Sequence, residues 1–344
     1  MDTPGHTDYF VNAIKGASQV DVAVLMLDAT KFVSGMEGGN TRQLISLIKG
    51  NEIKDMIICL NKMDAVDWNK DLFFSIRDQL EAYFAKERMN NITKVYIPIS
   101  AYKGENLNET IKLDWYKGES FIKELSKIQR QENDSIFKPL RMTVKNTFRS
   151  NLTKKKGYCL TVKVEGGVIT GSILEKLRIM PSEQSIQVKS IFREDEKIDF
   201  ARAGDTVDLV IHIAKDEDFD HIAKGDIICS DIHPIPLVKK FKAKIFTHSM
   251  KHPMIPGSRY NFHIGFHGQS GLIEKIIFEL NPEDESLVRK NPRILPNNSA
   301  AIVVISLDKR VCMETSENFD VYSRIQIIDE FSTAAYGKVL ELME

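Results

Sequence analysis

The sequence predicts an α/β domain, a parallel sheet with flanking helices, followed by two β-barrels. Three observations carry this. Up to about residue 130, short continuous apolar runs alternate with amphipathic helical patterns. A polar stretch at 131–136 (QENDSI) breaks the alternation. Beyond it, short runs rich in β-branched and aromatic residues recur between Gly, Pro, Asn and Asp, the texture of all-β barrels and sandwiches.

A chain of 344 residues exceeds one ordinary core and suits two or three domains. Charged residues make up 28% and hydrophobic residues 42%, a globular composition. The formal net charge of -1 gives no global attraction to nucleic acid, so such a contact needs a local basic patch. Cys59, Cys159, Cys229 and Cys312 lie far apart in apolar runs and share no metal-ligand spacing. The expectation is buried, reduced thiols in a cytoplasmic protein. No apolar run is long enough to span a bilayer and the N-terminus carries no signal-peptide pattern, so no membrane contact is expected.

In the first region, the runs at 22–27 (VAVLML), 56–60 (MIICL) and 95–99 (VYIPI) read as strands buried on both faces. Helical patterns cover 41–49, 71–88 and 120–129. In the second of these, Leu72, Ile76, Leu80 and Phe84 repeat every four residues. Strands separated by helices make a parallel sheet, and such sheets bind ligands at the C-terminal ends of their strands. Two short motifs fall there. Asn61-Lys62-Met63-Asp64 follows the second run and Ser100-Ala101-Tyr102-Lys103-Gly104 follows the third. A further motif, Asp2-Thr3-Pro4-Gly5-His6, opens the chain.

Asn61-Lys62-Met63-Asp64 fits N-K-x-D. A carboxylate at Asp64 can accept both hydrogens on the N1 and N2 edge of guanine, a donor pair that adenine lacks. Asn61 would bond the N7/O6 side, and the aliphatic stem of Lys62 would cover the ring. Taken by itself, the motif reads as a polar strand-to-helix turn in which Asp64 or Asp67 caps the next helix. In the second motif the Ala101 N–H would reach guanine O6, the Ser100 hydroxyl would buttress Asp64, and Tyr102 completes the segment. By itself this too is an ordinary Gly-containing turn. In the opening motif, Asp2 would reach Mg²⁺ through a water and Gly5 would offer its N–H to a γ-phosphate at close approach. His6 would orient the attacking water. Alone, Pro-Gly is a plain turn and His6 a surface residue. Order, spacing and strand-end placement together favour the nucleotide reading.

The segment 2–19 (DTPGHTDYFVNAIKGASQ) resembles switch II of translational GTPases of the elongation factor 1-alpha type. Gly38-Gly39-Asn40-Thr41-Arg42, Trp115-Tyr116-Lys117-Gly118, Val164-Glu165-Gly166-Gly167-Val168 and Ala203-Gly204-Asp205 are further shared marks. The resemblance covers nearly the whole chain. It implies part of a P-loop GTPase domain from switch II onward (1–133), a first β-barrel (137–233) and a second (238–344). It also implies GTP/GDP and Mg²⁺ as ligands and the ribosome as partner. Three branches compete: aminoacyl-tRNA carrier, class-II release factor GTPase, and the HBS-like rescue GTPase that partners Pelota. Met63-Asp64-Ala65-Val66-Asp67-Trp68, Met180-Pro181-Ser182-Glu183 and the run 198–205 (IDFARAGD) resemble the HBS-like branch, and the release factor branch is similar at 180–183. The near-neutral charge argues against a tRNA carrier.

The sequence departs from the family in places. It holds neither G-x-x-x-x-G-K-[ST] nor the switch I threonine, which together cradle the phosphates and Mg²⁺. The expectation is that these 344 residues bind GTP poorly and are the remainder of a longer GTPase. The alternative is a true loss that leaves a non-hydrolysing docking scaffold. In the last barrel, Ile328 and Phe331 stand where the family carries Arg and Gly in a partner-facing run, which weakens the choice of partner. Lys154-Lys155-Lys156 could meet ribosomal RNA, although a solvated hairpin tip is the ordinary reading. His248, His252, His263 and His267 pair at i and i+4. With no acidic or Cys companion, they read as barrel-face residues rather than a metal site.

Overall fold

The computed structural model describes residues 20–37, 40–128, 134–150, 157–170, 176–213, 216–248, 250, 252–265, 267–329 and 332–343. Two compact units divide the chain, one reaching residue 131 and one built from 132–329 with 334–344.

In the first unit, β1 (Val22–Asp28), β2 (Asp55–Asn61) and β3 (Thr93–Pro98) form a parallel sheet in that order. The register pairs Asp28 with Asn61 and Leu60 with Pro98, so all three strands end together. The helices are α1 (Phe32–Glu37), α2 (Asn40–Gly50), α3 (Lys70–Lys86) and α4 (Phe121–Lys127). The central strand β2 is buried on both faces, as its apolar run predicts. The reading of β1 needs correction. Ala23, Leu25 and Leu27 are buried, but Val24 and Met26 are exposed. Among the described strands β1 pairs on one side only, and its VAVLML run hides a one-sided burial pattern.

In α3 the buried stripe is Phe73, Ile76, Leu80 and Phe84, with Leu72 only half-buried. A helical turn of 3.6 residues carries a strict four-residue step off the core face. The sequence reading omits α1, because Ser34 and Gly35 interrupt its six residues.

The second unit holds both barrels. The first uses β4 (Arg141–Ser150), β5 (Gly157–Gly166), β7 (Leu177–Met180), β8 (Gln184–Arg193), β11 (Thr206–His212) and β12 (Ile227–Ser230). Their order is β11-β5-β4-β12-β7-β8, and β8 pairs back onto β11 to close the ring. The short strand β9 (Glu196–Ile198) extends β8, while β6 (Val168–Thr170) and β10 (Phe200–Arg202) form a separate ribbon. The second barrel comprises β13 (Leu237–Thr247), β14 (Arg259–Ile264), β15 (His267–Leu280), β17 (Ala300–Cys312), β18 (Arg324–Asp329) and β19 (Ser332–Met343). It runs β14-β18-β19-β13-β17-β15 and closes through β14–β15, with β16 (Leu287–Lys290) appended to β15. Closure leaves neither ring with an open edge of its own. Met142, Val144, Leu160, Val162 and Leu209 fill the first core. Phe241, Ile245, Phe262, Val303 and Ile325 fill the second.

In the last barrel the sequence predicts strands at 241–247, 259–266, 272–280, 300–306, 311–315 and 322–328, and the structure differs from this in three places. The runs at 300–306 and 311–315 are largely one strand, β17, whose charged Asp308-Lys309-Arg310 masks its continuity. The run at 322–328 begins as a short helix, α5 (Asp320–Ser323), before β18. Finally, β19 is absent from the sequence reading. It packs through small residues: Ala334 and Ala335 are buried, and a Cβ on Gly337 would lie 2.1 Å from the Lys244 carbonyl oxygen. Close backbone approach replaces the β-branched signature there.

All four cysteines are free and buried. Burial pushes the thiols of Cys59 and Cys312 up to about 12, so they are unreactive. The histidines do not share one strand. His263 and His267 lie on the antiparallel strands β14 and β15, and His267 faces Gly225 O at 3.1 Å. Among the described residues no cluster could hold a metal ion. Lys154-Lys155-Lys156 and Phe331 lie outside the described residues, and Ile328 is buried.

The barrels are joined by polar groups that water does not reach. Arg141 of β4 donates to Glu314 from Nε (3.2 Å) and Nη2 (2.8 Å), and from Nη1 to His233 O (2.7 Å). Both side chains are buried. Thr143 and Tyr322 share a hydrogen bond of 2.9 Å beside them. Phe319 fills the space left by Gly166, where a Cβ would lie 2.4 Å from its ring. Removing one partner of such a pair leaves an uncompensated buried charge. Glu314→Ala is therefore expected to lower unfolding free energy by about 3–5 kcal/mol in urea titration. A loss under about 1 kcal/mol, the worth of an exposed pair, would show that the joint does not depend on this contact.

Candidate functional site

The shared register delivers the chain exits of β1, β2 and β3 to one sheet edge, and backbone bonds lock them there. Ala29 N–H donates to Asn61 O (3.0 Å), Ile99 N–H to Leu60 O (2.8 Å) and Met63 N–H to Ile99 O (3.1 Å). Met63 is fully buried, so the segment after β2 is pinned by its apolar member while its polar neighbours face outward. Lys62 takes a left-handed backbone (φ 63°) to make that reversal, and a 3₁₀ turn follows at Met63–Val66.

Five residues singled out in the sequence meet at this edge. Asn61 Oδ1 accepts the N–H of Lys62 (2.8 Å) and of Ala101 (2.9 Å), which ties the two loops together. The Ala101 N–H expected to face a guanine O6 is thus directed at Asn61. Lys62 Nζ donates to Asp28 Oδ2 at 2.6 Å. Asp64 lies 3.8 Å from Lys103 Nζ. It does not cap α3, because Asn69 does so by accepting Leu72 N–H at 3.0 Å. The alternative role for the Asp64 carboxylate in a plain turn is therefore filled by another residue. Ser100 is buried, and its Oγ accepts Lys103 N–H (3.3 Å) while its backbone bridges to Glu105. Tyr102 is 95% exposed at the loop tip. Asp2, Gly5 and His6 lie outside the described residues.

Sequence reasoning missed Asp28 and Asn106, and gave Lys103 no role beyond its place in the motif. Asp28 Oδ1 accepts both the N–H (2.9 Å) and the hydroxyl (2.6 Å) of Thr30. Burial works to raise its carboxyl, but the bonds from Lys62 and Thr30 outweigh it and hold the group below the usual range. Its one sequence signal is a carboxylate placed directly at the end of an apolar run. Asn106 is buried with φ 58°; its Nδ2 donates to Pro98 O (2.8 Å) and its Oδ1 accepts Ile111 N–H (3.1 Å). It clamps the loop carrying Ser100 and Ala101.

The edge thus presents a carboxylate that does not cap α3, an amide oxygen bonded to both loops, and a lysine drawn toward the end of β1. The elongation factor Tu GTP binding domain model matches residues 1–180. This chain belongs to the elongation factor Tu/1-alpha family of translational GTPases. The GTP-eEF1A C-terminal domain model matches residues 240–340 of the same translational GTPase. Elongation factor 1-alpha of Desulfurococcus mucosus is 31% identical over 99% of this chain and 77% of its own length. Protein HBS1 of Drosophila melanogaster is 30% identical over 99% of the chain, in line with the HBS-like resemblance. The chain spans about half of HBS1 (51%). The Ski7 GTPase-like domain of S. cerevisiae shares the fold with a TM-score of 0.77 at 20% identity, covering 98% of this chain and 78% of that one.

Asn106→Ala removes two buried hydrogen bonds and places Ala in a left-handed conformation that Asn tolerates better. The expected loss is about 2 kcal/mol in thermal or urea unfolding, with faster amide exchange at Ser100 and Ala101. Unchanged exchange at those amides would show that Asn106 does not hold the loop.

Proposed function

We propose that this chain belongs to a translation factor that binds and hydrolyses GTP on the ribosome. Its reading in the HBS-like branch gives it a Pelota-like partner and a role in rescuing stalled ribosomes in the cytoplasm. The observation that carries the guanine assignment is the meeting of Asn61, Lys62, Asp64 and Ala101 at one sheet edge, with Asp64 released from capping. Asp64 would accept the N1 and N2 hydrogens of guanine. The Lys62 stem would lie on the ring, and Asn61 with Ala101 would meet the N7/O6 side once their mutual bond opens. Ser100 and Tyr102 would frame the loop. Asp2 would hold Mg²⁺ through a water, Gly5 would donate to the γ-phosphate, and His6 would orient the attacking water. Mg²⁺, when bound, supplies charge neutralisation on the phosphates. The branch assignment is supported by the segments 63–68 and 198–205 and by the similarity to HBS1. We propose three domains for the chain, at 1–133, 137–233 and 238–344.

Ribosome-stimulated GTP hydrolysis is expected to fall about 10²-fold or more in His6→Ala, the scale of a lost water-orienting or proton-transfer group. Hydrolysis that survives the substitution would contradict the role given to His6. Co-purification with a Pelota-like protein is expected. Recovery of a release factor or aminoacyl-tRNA instead would move the chain to another branch.

A further inference from the structure

The contact between Lys62 and Asp28 has a feature that an incidental surface pair lacks: its acceptor is also held by bonds within its own turn. Asp28 is the last residue of β1, and its Oδ1 is fully engaged by the N–H and the hydroxyl of Thr30. The Lys31 N–H also donates to the Asp28 carbonyl (3.1 Å), so the turn after β1 is closed on both sides of the residue. Only Oδ2 is left to face the neighbouring strand, and Lys62 Nζ lies on it at 2.6 Å. Lys62 leaves β2 through a left-handed residue, one position beyond the Asp28–Asn61 register pair. Its four methylenes therefore run from the end of β2 toward the end of β1. A lysine ammonium on a flexible stem would otherwise sample many rotamers.

We propose that Asp28 is a positioning residue for the base site: it anchors the Lys62 ammonium at the end of β1 so that the lysine stem is held as an apolar rail against the face of a guanine ring. This rests on the guanine reading of Asn61, Lys62 and Asp64. Asp28 itself touches no part of the nucleotide. The bonds from Lys62 and Thr30 together hold the carboxylate charged, and Thr30, by engaging Oδ1, leaves Oδ2 for the lysine. An asparagine at 28 keeps a carbonyl oxygen for Thr30 but turns an amide NH₂ toward the ammonium, so D28N severs the lysine contact while retaining the turn.

The test uses the whole chain with GDP as probe, followed by heteronuclear NMR of backbone amides and of the Lys62 Nζ–H group. The wild-type protein is expected to show slowly exchanging Lys62 Nζ–H signals that shift with GDP. D28N is expected to lose those signals and to bind GDP about tenfold more weakly. D28E, whose carboxylate can still reach the ammonium, should recover part of the loss. In a Lys62→Met background, which keeps a long stem without the charge, D28N should change GDP affinity by less than about twofold, the signature of two residues acting as one. Wild-type binding with D28N within twofold of it would overturn the positioning role and leave the guanine reading standing. So would Lys62 signals in the wild type that do not respond to bound GDP, a readout that needs no variant. Failure of the wild-type protein to respond to GDP at any amide of 61–64 or 100–103 would overturn the guanine reading and this proposal together.

Discussion

The parallel register of β1, β2 and β3 is the constraint on which the site depends. Because Asp28 pairs with Asn61 and Leu60 with Pro98, three chain exits reach one edge at nearly the same height. Parallel strands are joined by helices on the sheet faces, which leaves the strand ends clear for ligands. The buried Met63 then converts register into orientation. Its N–H bonds Ile99 O, its side chain enters the core, and Lys62 and Asp64 on either side turn outward. A slip of one residue in β2 would send Met63 to solvent and the lysine inward.

The barrels meet a different physical demand. Each closes six strands around its own apolar core, and the contact between them contains an Arg–Glu pair removed from water. A buried pair of this kind adds little net stability compared with a hydrophobic substitute, but separating it would strand a charge away from water. Gly166 against Phe319 makes a similar demand through shape, since any side chain at 166 would collide with the ring. The joint therefore specifies how β4 of one barrel meets the 314–322 segment of the other.

Much of this was legible in the sequence where local pattern and tertiary role coincide. The run at 56–60 reads as a buried strand because it lies at the centre of the described sheet, and the polar motif after it falls at a strand end for the same reason. Legibility fails where a residue acts through a distant partner. Nothing near Asp28 announces that its carboxylate will meet a lysine 34 positions later. Asn106 looks like one more loop asparagine until its bonds to Pro98 and Ile111 are seen. Asp64 and Asp67 were equally plausible caps for α3, and Asn69 holds that place. Pattern also fails where packing is made by small residues. The Ala-Ala-Tyr-Gly run of β19 carries little strand signal, yet its lack of bulk lets it lie against Lys244 and Ile245.

The central claim is that the sheet edge at Asn61, Asp64 and Ala101 selects guanine. The most direct measurement is the base selectivity of the whole chain, titrated to millimolar concentrations of guanosine and adenosine and read from the amide signals of Lys62, Asp64 and Ala101. These probes carry no phosphate and isolate the base site. The account predicts saturable shifts with guanosine, none with adenosine, and the loss of the guanosine response in Asp64→Ala. Equal responses to both nucleosides, or a guanosine response unchanged in Asp64→Ala, would contradict it.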